Sequence, residues 1–208
     1  MGESVRVAAI VLAAGRSSRM GEHKLLLPLG GRPLVTYAVD AACRSSADAV
    51  IVVVGHNASE VTAALAGMRC RTIVNEFYAD GMATSLRAGI STLPSDVAGA
   101  LIILADQPLV TSALVNLMLA AAIHDPHAIH AASYNGKRGN PVYFPRTLFG
   151  ELLSVSGDEG GRSVIARHSG AVRLVALPCK DAALDVDTPG EYERLVAGWE
   201  DYSKCATG

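Results

Sequence analysis

Three short runs along the chain are apolar at almost every position: Val5 to Leu12, with Arg6 the exception, Ala49 to Val54 (AVIVVV) and Ala100 to Ala105 (ALIILA). Short runs of this kind, without alternation, are expected of strands covered on both faces, as in a parallel sheet between two layers of helices. Between them the period changes. Leu34, Val35, Ala38, Val39 and Ala42 recur at helical spacing behind Pro33, a residue suited to the first turn of a helix. Val61, Ala64 and Leu65 follow the same pattern after Asn57, and Leu114, Leu117, Met118 and Ala121 follow it after Thr111, a predicted N-cap. Alternating strands and helices predict right-handed crossovers and an α/β fold, a doubly wound and mostly parallel sheet with helices on both faces. No linker, charge block or internal repeat divides the chain. Residues 1–197 are therefore expected to form a single domain, and 198–208, where periodicity is lost, a frayed tail.

Composition narrows the class. The chain has 208 residues, half of them apolar and 18% charged, which suits one sizeable domain and excludes intrinsic disorder. Eighteen basic against 20 acidic side chains leave a net charge of -2, unlike the basic surface of a nucleic-acid binder. Cys43, Cys70, Cys179 and Cys205 form no CxxC pair, so neither a zinc site nor a redox motif is signalled and reduced, packing cysteines are expected. The start of the chain does not read as a signal peptide, and Arg6 stands where a myristoylation site wants Ser or Thr. No apolar run approaches the ~20 residues of a membrane span. A cytoplasmic monomer without nucleic-acid or membrane partners is the expectation.

In open α/β sheets ligands sit beyond the carboxyl ends of the strands, so the segments that follow the strands carry the candidate chemistry. The first is AAGRSSRMGEHK, with Gly15, Ser17, Arg19, Gly21 and Lys24. Small residues and backbone amides can wrap an anion, and Arg19 and Lys24 can neutralise it. The spacing is neither that of a Walker A loop nor GxGxxG. An ordinary glycine-bearing turn with a solvated basic rim is the plainer reading. After Ile73 and Val74 comes NEFYADGMATSLRAG, where the amides around Gly81 and Ser85 would be free donors and the Ser85 hydroxyl can read a base edge, if it is not simply part of a helix's opening turn. Asp106 follows ALIILA directly, a hard oxygen ligand suited to Mg²⁺ shared with phosphates, or else a turn residue before Pro108. In ALDVDTPGEYERL, alternation puts Asp185 and Asp187 on one face, and Thr188 to Glu191 reads as a capping box with Pro189 at the first helical position. That box gives no structural reason for Asp187. His124, His127 and His130 look like a metal cluster, but Pro126 breaks the helix that would align them, and surface histidines are the expectation.

The string LAAGRSSRMGEHKLLLPLGGRPLV resembles the N-terminal signature LAAGxSxRMGxxKLLLPxxGxPL of the MobA-like nucleotidyltransferases. Its Ala-Ala-Gly form is similar to the CTP-using branch, the molybdenum cofactor cytidylyltransferases, whereas guanylyl-transferring relatives more often carry Ala-Gly-Gly. The resemblance continues through NxxxxxGMxxSLxxG (Asn75, Gly81, Ser85), LxDQP (Asp106), GDxGAR (Asp158, Arg162, with Gly161 in place of Ala) and DxDTPxxY (Asp187). Asn140 stands where many relatives have His before Pro141. These departures fall in the acceptor half, so they bear on acceptor identity more than on nucleotide use.

The resemblance implies the Rossmann-like fold of the nucleotide-diphospho-sugar transferases. It also implies transfer of CMP from CTP to a phosphorylated acceptor, molybdenum-bound molybdopterin, with a molybdenum hydroxylase or its chaperone as protein partner. Leu12, Ala13, Ala14, Gly15, Ser17, Arg19, Lys24, Asn75, Gly81, Ser85 and Asp106 would then bind the nucleotide. Asp106 and Asp187 would hold Mg²⁺, Arg19 and Lys24 would meet the triphosphate, and Asn140, Asp158 and Arg162 the acceptor. Three alternatives remain open. They are redox activity with NAD(P)H or flavin, a nucleotidyltransferase using GTP or another phosphorylated acceptor, and a non-catalytic nucleotide-binding or cofactor-delivery module.

Overall fold

The computed structural model describes residues 5–16, 20 and 23–205, with side chains through residue 202. In chain order its elements are β1 (Val7–Ala13), a 3-10 turn at Lys24–Leu26, a short hairpin of β2 (Pro28–Leu29) and β3 (Arg32–Pro33), α1 (Val35–Cys43), β4 (Ala49–Val54), α2 (Ala58–Ala64) and β5 (Arg71–Val74). There follow α3 (Met82–Ser91), β6 (Gly99–Leu104), α4 (Ser112–His124), β7 (Ile129–Tyr134), β8 (Lys137–Pro145), α5 (Phe149–Leu153), α6 (Arg162–Arg167), β9 (Val172–Ala176), α7 (Pro189–Ala197) and α8 (Trp199–Cys205). Seven strands make one sheet in the order β5-β4-β1-β6-β8-β7-β9. β5, β4, β1 and β6 run parallel, β8 runs against both neighbours, and β9 is again parallel to β7. The expected α/β, mostly parallel sheet is thus the architecture observed.

Strand β1 explains why the three apolar runs have no polar face. Val7, Ala9, Val11 and Ala13 join a core with Ala38 and Val39 of α1 and Val115 and Met118 of α4. Ala8 and Ile10 join the opposite core with Leu86 of α3, Leu152 of α5 and Ile165 of α6. A strand buried on both faces has no position left for a polar residue. The approach on the second face is close, since a Cβ on Gly89 of α3 would lie 2.7 Å from Ile10 Cγ2. Thr111 caps α4 by accepting the Leu114 N–H at 3.3 Å, as its place before the helical run predicts.

Two features differ from the sequence expectations. Residues after Gly198 are helical through Cys205, and Trp199 lies edge-on to Tyr37 with ring centroids 4.7 Å apart. Trp199 and Tyr202 both pack against the core that contains α1, and the segment is too short to show periodicity. His124 and His127 are exposed as expected, but His130 lies on β7 and is buried, its Nε2 2.8 Å from the Asp125 carbonyl oxygen. Among the described residues no group of three or more His, Cys, Asp or Glu side chains is arranged to hold a metal ion. Cys43, Cys70 and Cys179 are free thiols and half-buried. No helix of the described residues is long and apolar enough to cross a membrane.

Candidate active site

At the carboxyl ends of the parallel strands lies a cleft of about 440 Å³, lined among others by Leu12, Ala14, Gly15, Lys24, Ser85 and Asp106. β1 and β6 end side by side, and the Ala105 N–H donates to Leu12 O at 3.1 Å, so the chain leaves β6 with Asp106 beside the loop that follows β1. The extended segment 184–187 is laid against this edge by a backbone bond from Val186 N–H to Asp106 O of 3.1 Å. Val186 is buried, and Asp185 and Asp187 stand on either side of it in the sequence. The capping box that starts α7 is formed in full. Thr188 Oγ1 accepts from Glu191 N–H, and the Glu191 carboxylate accepts from the N–H groups of both Thr188 and Asp187 at 2.8 and 3.0 Å. The box therefore holds the backbone of Asp187 as well as its own helix.

Lys24 joins these carboxylates. Its Nζ donates to Asp106 Oδ2 at 2.6 Å and to Asp187 Oδ1 at 2.8 Å. Lys24 is only 8% exposed. Burial works to lower its pKa, but the two carboxylates outweigh that and hold it above the ordinary lysine value. Asp185 sits one step aside, accepting from Gln107 Nε2 at 2.8 Å. Burial, and then the neighbouring Asp106 carboxylate, push its pKa up to about 6. Two carboxylate oxygens already converging within hydrogen-bond reach of one cationic atom are the kind of hard donor set that suits a divalent ion.

The opposite wall is the start of α3, and here the structure corrects an expectation. The amides after Gly81 are not free donors. Met82 N–H donates to Asp158 Oδ1 at 3.2 Å and Ala83 N–H to Gly157 O at 3.0 Å, so the 157–158 loop caps the helix. Gly81 and Ser85 both line the cleft. Asn75 does not. It is buried, and its Nδ2 donates to Thr84 Oγ1 at 2.8 Å and Ser85 Oγ at 3.0 Å, knitting the exit of β5 to α3. Ala13 points into the core on the α1 side. Ser17 and Arg19 lie outside the described residues. Asp158 lines the main cleft, while Asn140 and Arg162 line a smaller hollow of about 70 Å³ that shares Leu12, Met82 and Leu104 with it.

Two residues at the site, Tyr78 and Gln107, were not singled out from the sequence. Tyr78 lines the cleft, with the Arg16 guanidinium carbon 5.7 Å from its ring centroid and the His56 ring 5.8 Å away. Gln107, 2% exposed, orients Asp185. The string ADQPLVT contains Gln107, yet only the fold reveals that its side chain turns toward a residue 78 positions away.

Comparison with known proteins identifies the family and the fold. The family model described as "MobA-like NTP transferase domain" matches residues 9–172, a span that includes Lys24 and Asp106 and stops short of Asp187. The purine catabolism protein PucB of Bacillus subtilis is 33% identical over 197 residues, covering 89% of this chain and 94% of its own length. The nicotine blue oxidoreductase of Paenarthrobacter nicotinovorans is 31% identical over 199 residues, covering 91% of this chain and 96% of its own. Among solved structures, Rv0371c of Mycobacterium tuberculosis superposes with a TM-score of 0.83 at 33% identity, over 94% of this chain and 100% of that one. A second structure of Rv0371c, in complex with manganese, gives a TM-score of 0.80 at 31% identity, over 93% of this chain and 99% of that one.

Proposed function

The chain belongs to the MobA-like NTP transferase family and is a nucleotidyltransferase, and we propose that it moves CMP from CTP to molybdenum-bound molybdopterin, releasing pyrophosphate. The observation that carries this reading is the meeting of Lys24, Asp106 and Asp187 at the strand ends. It provides both the donor set for a divalent ion and a cation for phosphate in one cleft. Mg²⁺ held by Asp106 and Asp187 would neutralise charge on the phosphates. The acceptor phosphate oxygen attacks the α-phosphorus, a new P–O bond forms, and the bond to the bridging oxygen breaks with pyrophosphate as leaving group. Little covalent help is needed for this, so the side chains act through position and charge. Leu12, Ala14 and Gly15 bring backbone against the nucleotide, with Ser17 and Arg19 of the same loop and Gly81 opposite. Lys24 and Arg19 balance the departing pyrophosphate, and the Ser85 hydroxyl reads the base edge. Asn140, Asp158 and Arg162 face the acceptor, and the Asn140 hollow opening off the main cleft supports that division. The protein acts in the cytoplasm as a monomer, delivering its product to a molybdenum hydroxylase or its chaperone.

Thermal shifts with CTP, GTP, ATP and UTP in the presence of Mg²⁺ test the nucleotide. CTP at about 100 times its Kd should stabilise the fold by ~2.7 kcal/mol, with smaller shifts for the others. Equal shifts for all four, or none with CTP, would overturn the cytidylyl assignment. Pyrophosphate release with molybdenum-bound molybdopterin tests the reaction, and Asp106→Ala should abolish it. Full turnover by that variant, or NADPH oxidation by the wild type without pyrophosphate release, would refute the transfer reading.

A further inference from the structure

The contact that identifies the site also constrains how it fills. A divalent ion bound by Asp106 Oδ2 and Asp187 Oδ1 would lie ~2.0–2.2 Å from each oxygen. Lys24 Nζ is 2.6 and 2.8 Å from those same two oxygens. The two positions overlap, so the ammonium and the ion exclude each other. From this we infer that Lys24 occupies the place of the metal until a nucleotide draws it away, so that the Asp106–Asp187 pair takes up a divalent ion together with a triphosphate and only weakly without one. The inference rests on the reading of these two aspartates as the metal ligands.

Consider a metal ion arriving alone. It must displace a buried ammonium from its charge-assisted hydrogen bonds to Asp106 and Asp187, a costly exchange. When the ion arrives with a triphosphate, the phosphate oxygens offer the ammonium new partners within the same cleft. The Lys24 backbone need not move for this. Its carbonyl stays bonded to the Leu27 N–H at 3.2 Å, while the four-carbon stem supplies the reach. Metal and nucleotide then favour each other, and the coupling is reciprocal: whatever factor nucleotide adds to metal affinity, metal adds to nucleotide affinity.

The test uses Mn²⁺ as probe, followed by electron paramagnetic resonance and calorimetry, with and without a non-hydrolysable α,β-methylene analogue of CTP. Wild-type protein, Lys24→Met, Lys24→Gln and Asp106→Asn are compared, with folding of each checked by circular dichroism. The wild type should bind Mn²⁺ at least tenfold more tightly with the analogue than without it. Lys24→Met and Lys24→Gln should bind Mn²⁺ alone at least tenfold more tightly than the wild type, and adding Asp106→Asn to either should remove that gain. A wild type whose Mn²⁺ affinity is the same with and without the analogue overturns the inference whatever the variants do. So does an unchanged Mn²⁺ affinity in a folded Lys24 variant, or a gain that survives Asp106→Asn. If the wild type binds Mn²⁺ with the analogue and Asp106→Asn does not, the metal-site reading stands even when the exchange fails. If the wild type takes up no Mn²⁺ under either condition, both fall.

Discussion

Gly81→Ala separates the requirement for a glycine before α3 from the general cost of losing one. Gly81 has φ 104 and ψ 170, a region open almost only to glycine, and a side chain there costs about 1–3 kcal/mol. The added Cβ would also lie 2.5 Å from both the carbonyl carbon and the oxygen of Gly157, and 2.8 Å from Asp158 Oδ1. Backbone cannot rotate aside as the end of a flexible side chain can. Either the overlap stays, at about 1–3 kcal/mol, or the 157–158 loop retreats. Retreat loses the bonds from Met82 N–H to Asp158 and from Ala83 N–H to Gly157, each of about 1 kcal/mol. These are alternative routes to the same relief, so with the backbone strain the total is about 2–5 kcal/mol, out of the ~5–15 kcal/mol that a domain commands. At about 2–4 °C per kcal/mol for this size, the melting temperature should fall by roughly 4–20 °C. Gly67→Ala is the control. Gly67 also has a positive φ, 81, but nothing lies within 4 Å of its Cβ position, so only strain of ~1 kcal/mol is expected, with a drop of about 2–4 °C. Calorimetric melting of both variants decides the matter. Equal drops in the two would refute the argument that the 157–158 loop closes on the start of α3.

Thr188→Ala removes the hydroxyl half of the α7 capping box and should cost about 1–2 kcal/mol, read as a fall of about 2–8 °C in melting temperature. The Cys70 thiol is pushed down to about 7 by its hydrogen bond with Cys43, while Cys43 is held far above the usual thiol range by the same bond and by burial. Iodoacetamide at pH 7, followed by peptide mass spectrometry, should therefore modify Cys70 well before Cys43, and Cys43→Ala should slow Cys70 alkylation at that pH by up to about tenfold. Asp185, with its carboxyl held up to about 6, binds its proton more tightly folded than unfolded, so its contribution favours the fold at low pH and is lost as pH rises from about 4 through 6. Asp185→Asn keeps an oxygen for Gln107 and should flatten that fall, giving a higher melting temperature at pH 7 than the wild type; an unchanged pH profile would show that the carboxyl is not perturbed.

Several parts of this molecule are legible in the sequence because their cause is local. AVIVVV becomes β4 over the same residues, since only a strand buried on both faces accepts six apolar residues in a row. Thr188 and Glu191 form their capping box because the two partners are three residues apart. Asp106 reaches the cleft because it lies two residues beyond the end of β6. What escaped the sequence depends on distant partners. Asp158 was assigned to the acceptor on a motif alone, and nothing in that motif says its carboxylate lies within hydrogen-bond reach of the Met82 amide, 76 residues away. Asn75, taken with the nucleotide loop, spends its amide on Thr84 and Ser85 because β5 ends beneath α3. The helical tail is not legible because what holds it, Trp199 against Tyr37 and Tyr202 against the same core, joins residues far apart in sequence.

The near-neutral charge of the whole chain has a structural meaning that the average conceals. Residues 16–32 carry four basic side chains and one acidic, and residues 180–193 carry five acidic and one basic. Far apart in sequence, these segments meet in space: Lys24 of the first is bonded to Asp187 of the second across 163 positions. The contact is not left to charge alone, which would be weak if exposed. Val186 is anchored to the backbone of Asp106, the Tyr192 hydroxyl donates to Pro28 O, and Trp199 packs on Tyr37. Asp187 is thus carried to the site by a docked C-terminal segment that lies beyond the span matched by the family model. The cluster of Lys24, Asp106 and Asp187 is therefore complete only when three segments far apart in sequence have come together, which makes its assembly a property of the whole fold rather than of any one motif.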